Sequence, residues 1–212
     1  MAKHLEHVEW LDSLDTVETD LGQFILFEFL LFSPALEVSA RSKGWISRFG
    51  VHDSDDAEVL FDELTKNVRV LRSEKKRYAS NVDDLEHLLR AESLLDGDFW
   101  RHESFVVYTV PNEAKTQVKN AITAAIDGNS QLKDRKRRLI QDKYLQVDAL
   151  FRHIRNSIAH GAFQIKEVDG SKRVCIFQDA SFSGDLSARL VIKEETLREW
   201  VASFRRYEAK GV

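Results

Sequence analysis

SQLKDRKRRLIQDKYLQVDALFRHIRNSIAHG, residues 130–161, decides the fold. Along it Ile140, Tyr144, Val147, Phe151, Ile154 and Ile158 recur every three or four residues. At about 100° per residue this spacing gathers them into one apolar stripe. The pattern predicts a single long helix from about Ser130 to His160, packed along that stripe. Gly161 follows where a helix commonly ends, because glycine accepts the left-handed backbone of a C-terminal cap.

Working outward, the chain before this helix reads as mostly helical. Leu5 to Leu11 is a short segment, and Asp15 to Phe32 a longer one that stops before Pro34. Ser39 to Asp55 is irregular, with turn chemistry at Asp53-Ser54-Asp55-Asp56. Val59, Leu60, Leu64, Val68 and Leu71 fall at helical spacing, and a further helix runs from Asp83 to Leu95. Phe105 to Val110 has the composition of a strand but lies between helices, and Glu113 to Ile126 is helical. After Gly161 the period changes. Ala162 to Val168 and Arg173 to Gln178 flank Asp169-Gly170, a hairpin signal, and Ala188 to Lys193 reads as a third strand. Glu194 to Glu208 closes the chain as a helix with Leu197, Trp200, Val201 and Phe204 on one side.

Composition narrows the class. A chain of 212 residues, 43% apolar and 31% charged, has enough material for one core. Its formal net charge of −4 argues against tight nucleic-acid binding by bulk charge, so any such contact needs a local patch. The single cysteine, Cys175, makes no internal disulfide and no cysteine-rich zinc site, which suits a cytoplasmic protein. Met1 to His7 carries charges where a signal peptide needs an apolar core. Phe24 to Phe32, the most apolar run, falls short of the ~20 residues that span a bilayer. No membrane segment, metal site or cofactor motif is expected.

The end of the long helix carries the chemistry. Asn156 and His160 are four residues apart and share the side opposite the apolar stripe, with Arg152 and His153 near them. Arg155 sits at the stripe's edge, where its stem packs and its guanidinium reaches out. Arginine clamps phosphate with parallel donors, histidine moves protons near neutral pH, and asparagine orients either. Upstream, Lys133 and Arg137 belong to a basic run on the same helix that could guide an RNA backbone. For that run, and for a second basic cluster, Arg72, Lys75, Lys76 and Arg77, a solvated face is the commoner explanation. Glu28 interrupts an apolar run and is a candidate partner for Arg155 or an interface residue.

Arg155-Asn156-Ser157-Ile158-Ala159-His160-Gly161 resembles the signature of the HEPN superfamily: arginine, a polar residue that is often asparagine, spacers, then histidine. The resemblance implies a small helical bundle and metal-independent RNase activity in toxin–antitoxin, phage-exclusion or CRISPR systems. It also implies an active site shared across a homodimer, with RNA as substrate and an antitoxin or defence-complex partner. Arg155, Asn156 and His160 carry over as the catalytic set. Some toxins of the family have a tyrosine two positions after the histidine that a partner nucleotidyltransferase modifies; Ala162 stands there, which counts against that mode of neutralisation.

The expectation is a mainly α chain of the α+β class, a HEPN-like helical bundle with a small antiparallel hairpin or sheet after the motif helix. One domain covers 1–212, with the bundle at 1–161, the β elaboration at 162–193 and the closing helix at 194–212. The expected function is endoribonuclease cleavage through 2′-OH attack. Two alternatives stay open. One is a non-catalytic HEPN module that binds nucleotide or RNA, or serves as a subunit of a defence complex. The other is a purely structural helical protein, in which Arg155 and His160 are buried or paired and His160 merely complements the helix dipole.

Overall fold

The computed structural model describes residues 19–35, 62–95, 97–101, 103–112, 115–116, 120, 134–168, 170, 172–181 and 183–210. In chain order these give α1 (Asp20–Ile25, continued by a wider π-type turn over Leu26–Leu31), β1 (Arg69–Val70), α2 (Val82–Ala91) and β2 (Phe105–Tyr108). Then come α3 (Asp134–Ala159), β3 (Phe163–Val168), β4 (Lys172–Ala180), β5 (Leu186–Lys193) and α4 (Glu194–Lys210). The helices expected at Leu5–Leu11 and over most of Glu113–Ile126, and the irregular stretch Ser39–Asp55, lie outside the described residues.

The expected bundle with a small antiparallel appendage is corrected by a five-stranded mixed sheet in the order β1-β2-β5-β4-β3. Two of its strands precede the motif helix, and β1 pairs with β2 in parallel. β2 pairs with β5 across 80 or more residues of chain, Phe105 opposite Val191 and Tyr108 opposite Ala188. Val68 and Leu71 do not continue a helix. The helical stretch at 62–65 stops, Arg69 and Val70 form β1, and both apolar neighbours are buried beside the sheet. The hairpin after the motif forms as expected, β3 against β4 from Phe163–Phe177 to Val168–Lys172, with Gly170 at φ +79° in the turn.

Helices cover both faces of this sheet, so its inner strands are apolar on both sides and show little alternation. Val106 and Tyr108 of β2, Cys175 and Phe177 of β4, and Leu190 and Ile192 of β5 share a core with α1, α3 and α4. The intervening residues Phe105, Val107, Val174, Ile176 and Val191 pack with Leu85 and Leu89 of α2. Capping fixes where the helices start. The Thr19 side chain accepts from Gly22 N at 2.9 Å. Asn81 accepts from Asp84 N at 2.8 Å, while Ser80 N donates to the Asp84 carboxylate at 2.6 Å.

α3 is the central element. Phe151 stacks with Phe29 of the α1 continuation and meets Trp200 and Phe204 of α4 edge to face, at centroid distances of 6.4, 5.8 and 5.3 Å. Residues 144–151 are all buried, so here the helix has no solvent-facing side. Its polar residues are buried with it, and each needs a partner. Glu28 finds one in Arg205 of α4 rather than in Arg155.

Candidate functional site

The motif occupies the last turns of α3. Its end is built by Gly161 at φ +68°. Ala162 N donates to Ser157 O at 2.7 Å and Gly161 N to Ile158 O at 3.0 Å, the paired bonds of a Schellman cap. This cap leaves His160 exposed on the final turn, with its backbone N–H bonded to Asn156 O at 2.9 Å.

Arg155 is half-buried, as its place at the stripe's edge predicts. Its Nε is sealed from solvent and meets no acceptor among the described residues. A buried N–H donor without an acceptor is uncommon enough to call for an explanation. Asn156 is also half-buried, and its Nδ2 donates to Asp179 Oδ2 at 3.3 Å.

His153 departs from the sequence expectation. It lies at nearly the same angle around the helix as His160 but is only 1% exposed. Seven residues toward the N-terminus, that side of α3 is covered by the sheet. Its Nδ1 sits 2.7 Å from Asp179 Oδ2 and its Nε2 2.7 Å from Thr109 O. In this arrangement the ring is not available to an RNA phosphate. Arg152 is 12% exposed in its side chain, and its Nε donates to the fully buried Asp148 at 2.5 Å. Arg137 lies in the first turns of α3, and Lys133 is outside the described residues.

Asp179 was not visible to sequence reasoning. It stands on β4, 23 residues beyond Asn156, with nothing in its neighbours to mark it. The one available signal was alternation: Cys175, Phe177 and Asp179 fall on the same face of a strand, and the two apolar members point at α3. Tyr108 belongs to the same neighbourhood, its ring centroid 6.0 Å from that of His153, and burial drives its hydroxyl far above the usual phenol range. The other basic cluster lines an open depression of about 820 Å³ beside the start of α2, where Arg72, Lys75 and Lys76 are mixed with Glu74 and Asp84. Arg77 bonds Asp62 at 3.3 Å, and the Lys76 ammonium lies 5.3 Å over the Tyr78 ring.

A family model described as HEPN pEK499 p136 matches residues 59–209, well over half of the chain. The protein belongs to this HEPN family. Searches of curated proteins and of solved structures returned no match. The matched stretch includes all five strands as well as the motif helix, so the sheet lies within the HEPN region of this chain. HEPN domains are typically RNases or nucleotide-binding modules. No described helix is long and apolar enough to cross a membrane.

Proposed function

We propose that this HEPN protein is a metal-independent endoribonuclease of the defence or toxin type, acting as a two-fold homodimer. The observation that carries this reading is Arg155. Its side chain is half-buried, and its sealed Nε–H meets no acceptor among the described residues, at a helix end that also offers Asn156 and an exposed His160. A phosphodiester supplies the missing acceptor, and arginine is suited to bind it through parallel donors.

In the proposed reaction the ribose 2′-oxygen attacks the adjacent phosphorus while the phosphorus–O5′ bond breaks. The 2′-OH proton passes to a base, and an acid returns a proton to O5′. His160 serves in one of these roles and its symmetry mate in the other, because one motif per chain provides one imidazole at this helix end. Arg155 neutralises charge that builds on the phosphorane oxygens, and Asn156 orients its neighbours. This chemistry takes its nucleophile from the substrate and needs no cofactor.

The test is cleavage of a mixed RNA substrate by wild type, His160→Ala and Arg155→Ala, with circular dichroism to check the fold. Both variants should remain folded and lose cleavage. Cleavage by either at the wild-type rate contradicts the proposal. RNA binding without turnover by the wild type, at any enzyme concentration, supports a binding module instead.

A further inference from the structure

We infer that Asp179 is a positioning residue that fixes which way the Asn156 carboxamide faces, so that the site presents an acceptor, Asn156 Oδ1, to the RNA 2′-OH. The role of that acceptor rests on the endoribonuclease reading; the positioning itself does not. The argument starts from donors and acceptors. An ionised carboxylate only accepts, so the atom of Asn156 that lies 3.3 Å from Asp179 Oδ2 must be the donating Nδ2. The two ends of a primary amide point apart, so Oδ1 is turned away from Asp179. A free amide could flip and offer either end, whereas this one cannot flip without setting its oxygen against a carboxylate oxygen.

The carboxylate is itself held. Its side chain is 7% exposed, and the same Oδ2 lies 2.7 Å from His153 Nδ1. His153 Nε2 faces Thr109 O, and a carbonyl oxygen only accepts, so that nitrogen carries a proton. With a partner at each nitrogen, the ring is held from both ends. The Asp179 backbone is anchored too, since Ser187 Oγ donates to Asp179 O at 3.0 Å and Asp179 pairs with Ala188 across the sheet. Thr109, just after β2, and Asp179 of β4 thus hold α3 at His153 and Asn156, which bracket Arg155. The turn that carries Arg155 is thereby tied to the sheet.

An acceptor at Asn156 matches what distinguishes RNA, because a 2′-OH donates a hydrogen bond and a 2′-deoxy position does not. Asp179→Asn tests the inference with little change of volume. Replacing the carboxylate by an amide removes the obligation, since its NH2 can take the place of Oδ2 and donate both to His153 Nδ1 and to Asn156 Oδ1 while the ring keeps its proton on Nε2. In wild type, the side-chain amide resonances of Asn156, observed with ¹⁵N-labelled asparagine, should be shifted and protected from exchange. In Asp179→Asn they should move toward those of a free side chain. RNA turnover should fall about 100-fold in kcat with little change in KM, the order expected for a misplaced site. Asp179→Glu should recover part of that loss. Unchanged Asn156 resonances in Asp179→Asn overturn the inference whether or not the protein cleaves RNA. A lower melting temperature with kcat intact overturns it as well, because it reduces Asp179 to a structural residue. If the wild type does not cleave RNA, the endoribonuclease reading fails while the resonances still decide the positioning.

Discussion

Removing either member of the His153–Asp179 pair should destabilise the protein by several kcal/mol, and the two losses should be strongly coupled. The side chains are 1% and 7% exposed and 2.7 Å apart, so the contact is nearly free of solvent screening. Asp179→Ala deletes a charge-assisted bond, worth about 1.5–3 kcal/mol, and the longer bond from Asn156, worth about 1 kcal/mol. It also leaves a buried His153 N–H with no acceptor, a cost of about 1–3 kcal/mol that partly overlaps the first. The expected loss is therefore about 3–5 kcal/mol, the range for breaking a buried pair from one side. His153→Ala should cost more, because it also takes the donor from Thr109 O and empties a packed site beside Tyr108. The double variant should be about 2–3 kcal/mol more stable than the sum of the single losses predicts, since neither partner is then left stranded. Urea unfolding followed by tryptophan fluorescence measures all four proteins. A coupling energy indistinguishable from zero would refute this account of the pair.

Three other outcomes follow from separate parts of the molecule. Gly161→Ala places a Cβ in open space but at φ +68°, so the cost is conformational alone, about 1–2 kcal/mol; thermal unfolding should show Gly161→Asn losing less, and equal losses would contradict the argument. The Arg173 guanidinium, bonded to Glu194 at 2.7 Å, holds that carboxyl below its ordinary value of 4.5, with Arg198 adding to the effect. The folded state thus binds fewer protons than the unfolded state near pH 4, so this contribution is complete above the unfolded value and is lost as pH falls through the folded one. Melting temperatures between about pH 3 and 6 should therefore fall less steeply for Glu194→Gln than for wild type; identical slopes would contradict the assignment. Cys175 is fully buried and its thiol is pushed up by burial, so iodoacetamide should label it only as fast as the protein unfolds, and rapid labelling of the folded protein would be inconsistent with its place under α3.

The features legible in the sequence are those whose cause is local. The stripe from Tyr144 to Ile158 specifies α3, Gly161 specifies its stop, and Asp169-Gly170 specifies the β3–β4 hairpin. The sheet was harder to read because its pairings are not local. Val68 and Leu71 continue the helical period of Leu64 by coincidence, since Leu64 lies in the helical stretch at 62–65 while the other two are buried beside a strand that pairs with residues 105 and 106. An apolar stripe on α3 reads the same whether a sheet or another helix covers it, so a bundle and this three-layer arrangement share one pattern. The same ambiguity misplaced His153. Helical angle groups it with His160, but only the tertiary contact with Thr109 and with Asp179 of β4 separates a buried ring from an exposed one. Arg155, Asn156 and His160 could be proposed as a set because they lie within one short stretch at the end of a single helix. Asp179 could not, because its partners come from another element and its own strand carries no mark of them.

The most direct measurement of the central claim is the chemistry of the RNA ends left by the wild-type protein in excess EDTA. Attack by the 2′-oxygen predicts an upstream fragment ending in a 2′,3′-cyclic phosphate. It also predicts uncut DNA of the same sequence and no cutting where the 2′-oxygen is methylated. Cleavage that vanishes with EDTA and returns with Mg²⁺, or that cuts DNA equally well, would contradict a site in which Arg155, Asn156 and His160 draw the nucleophile from RNA itself.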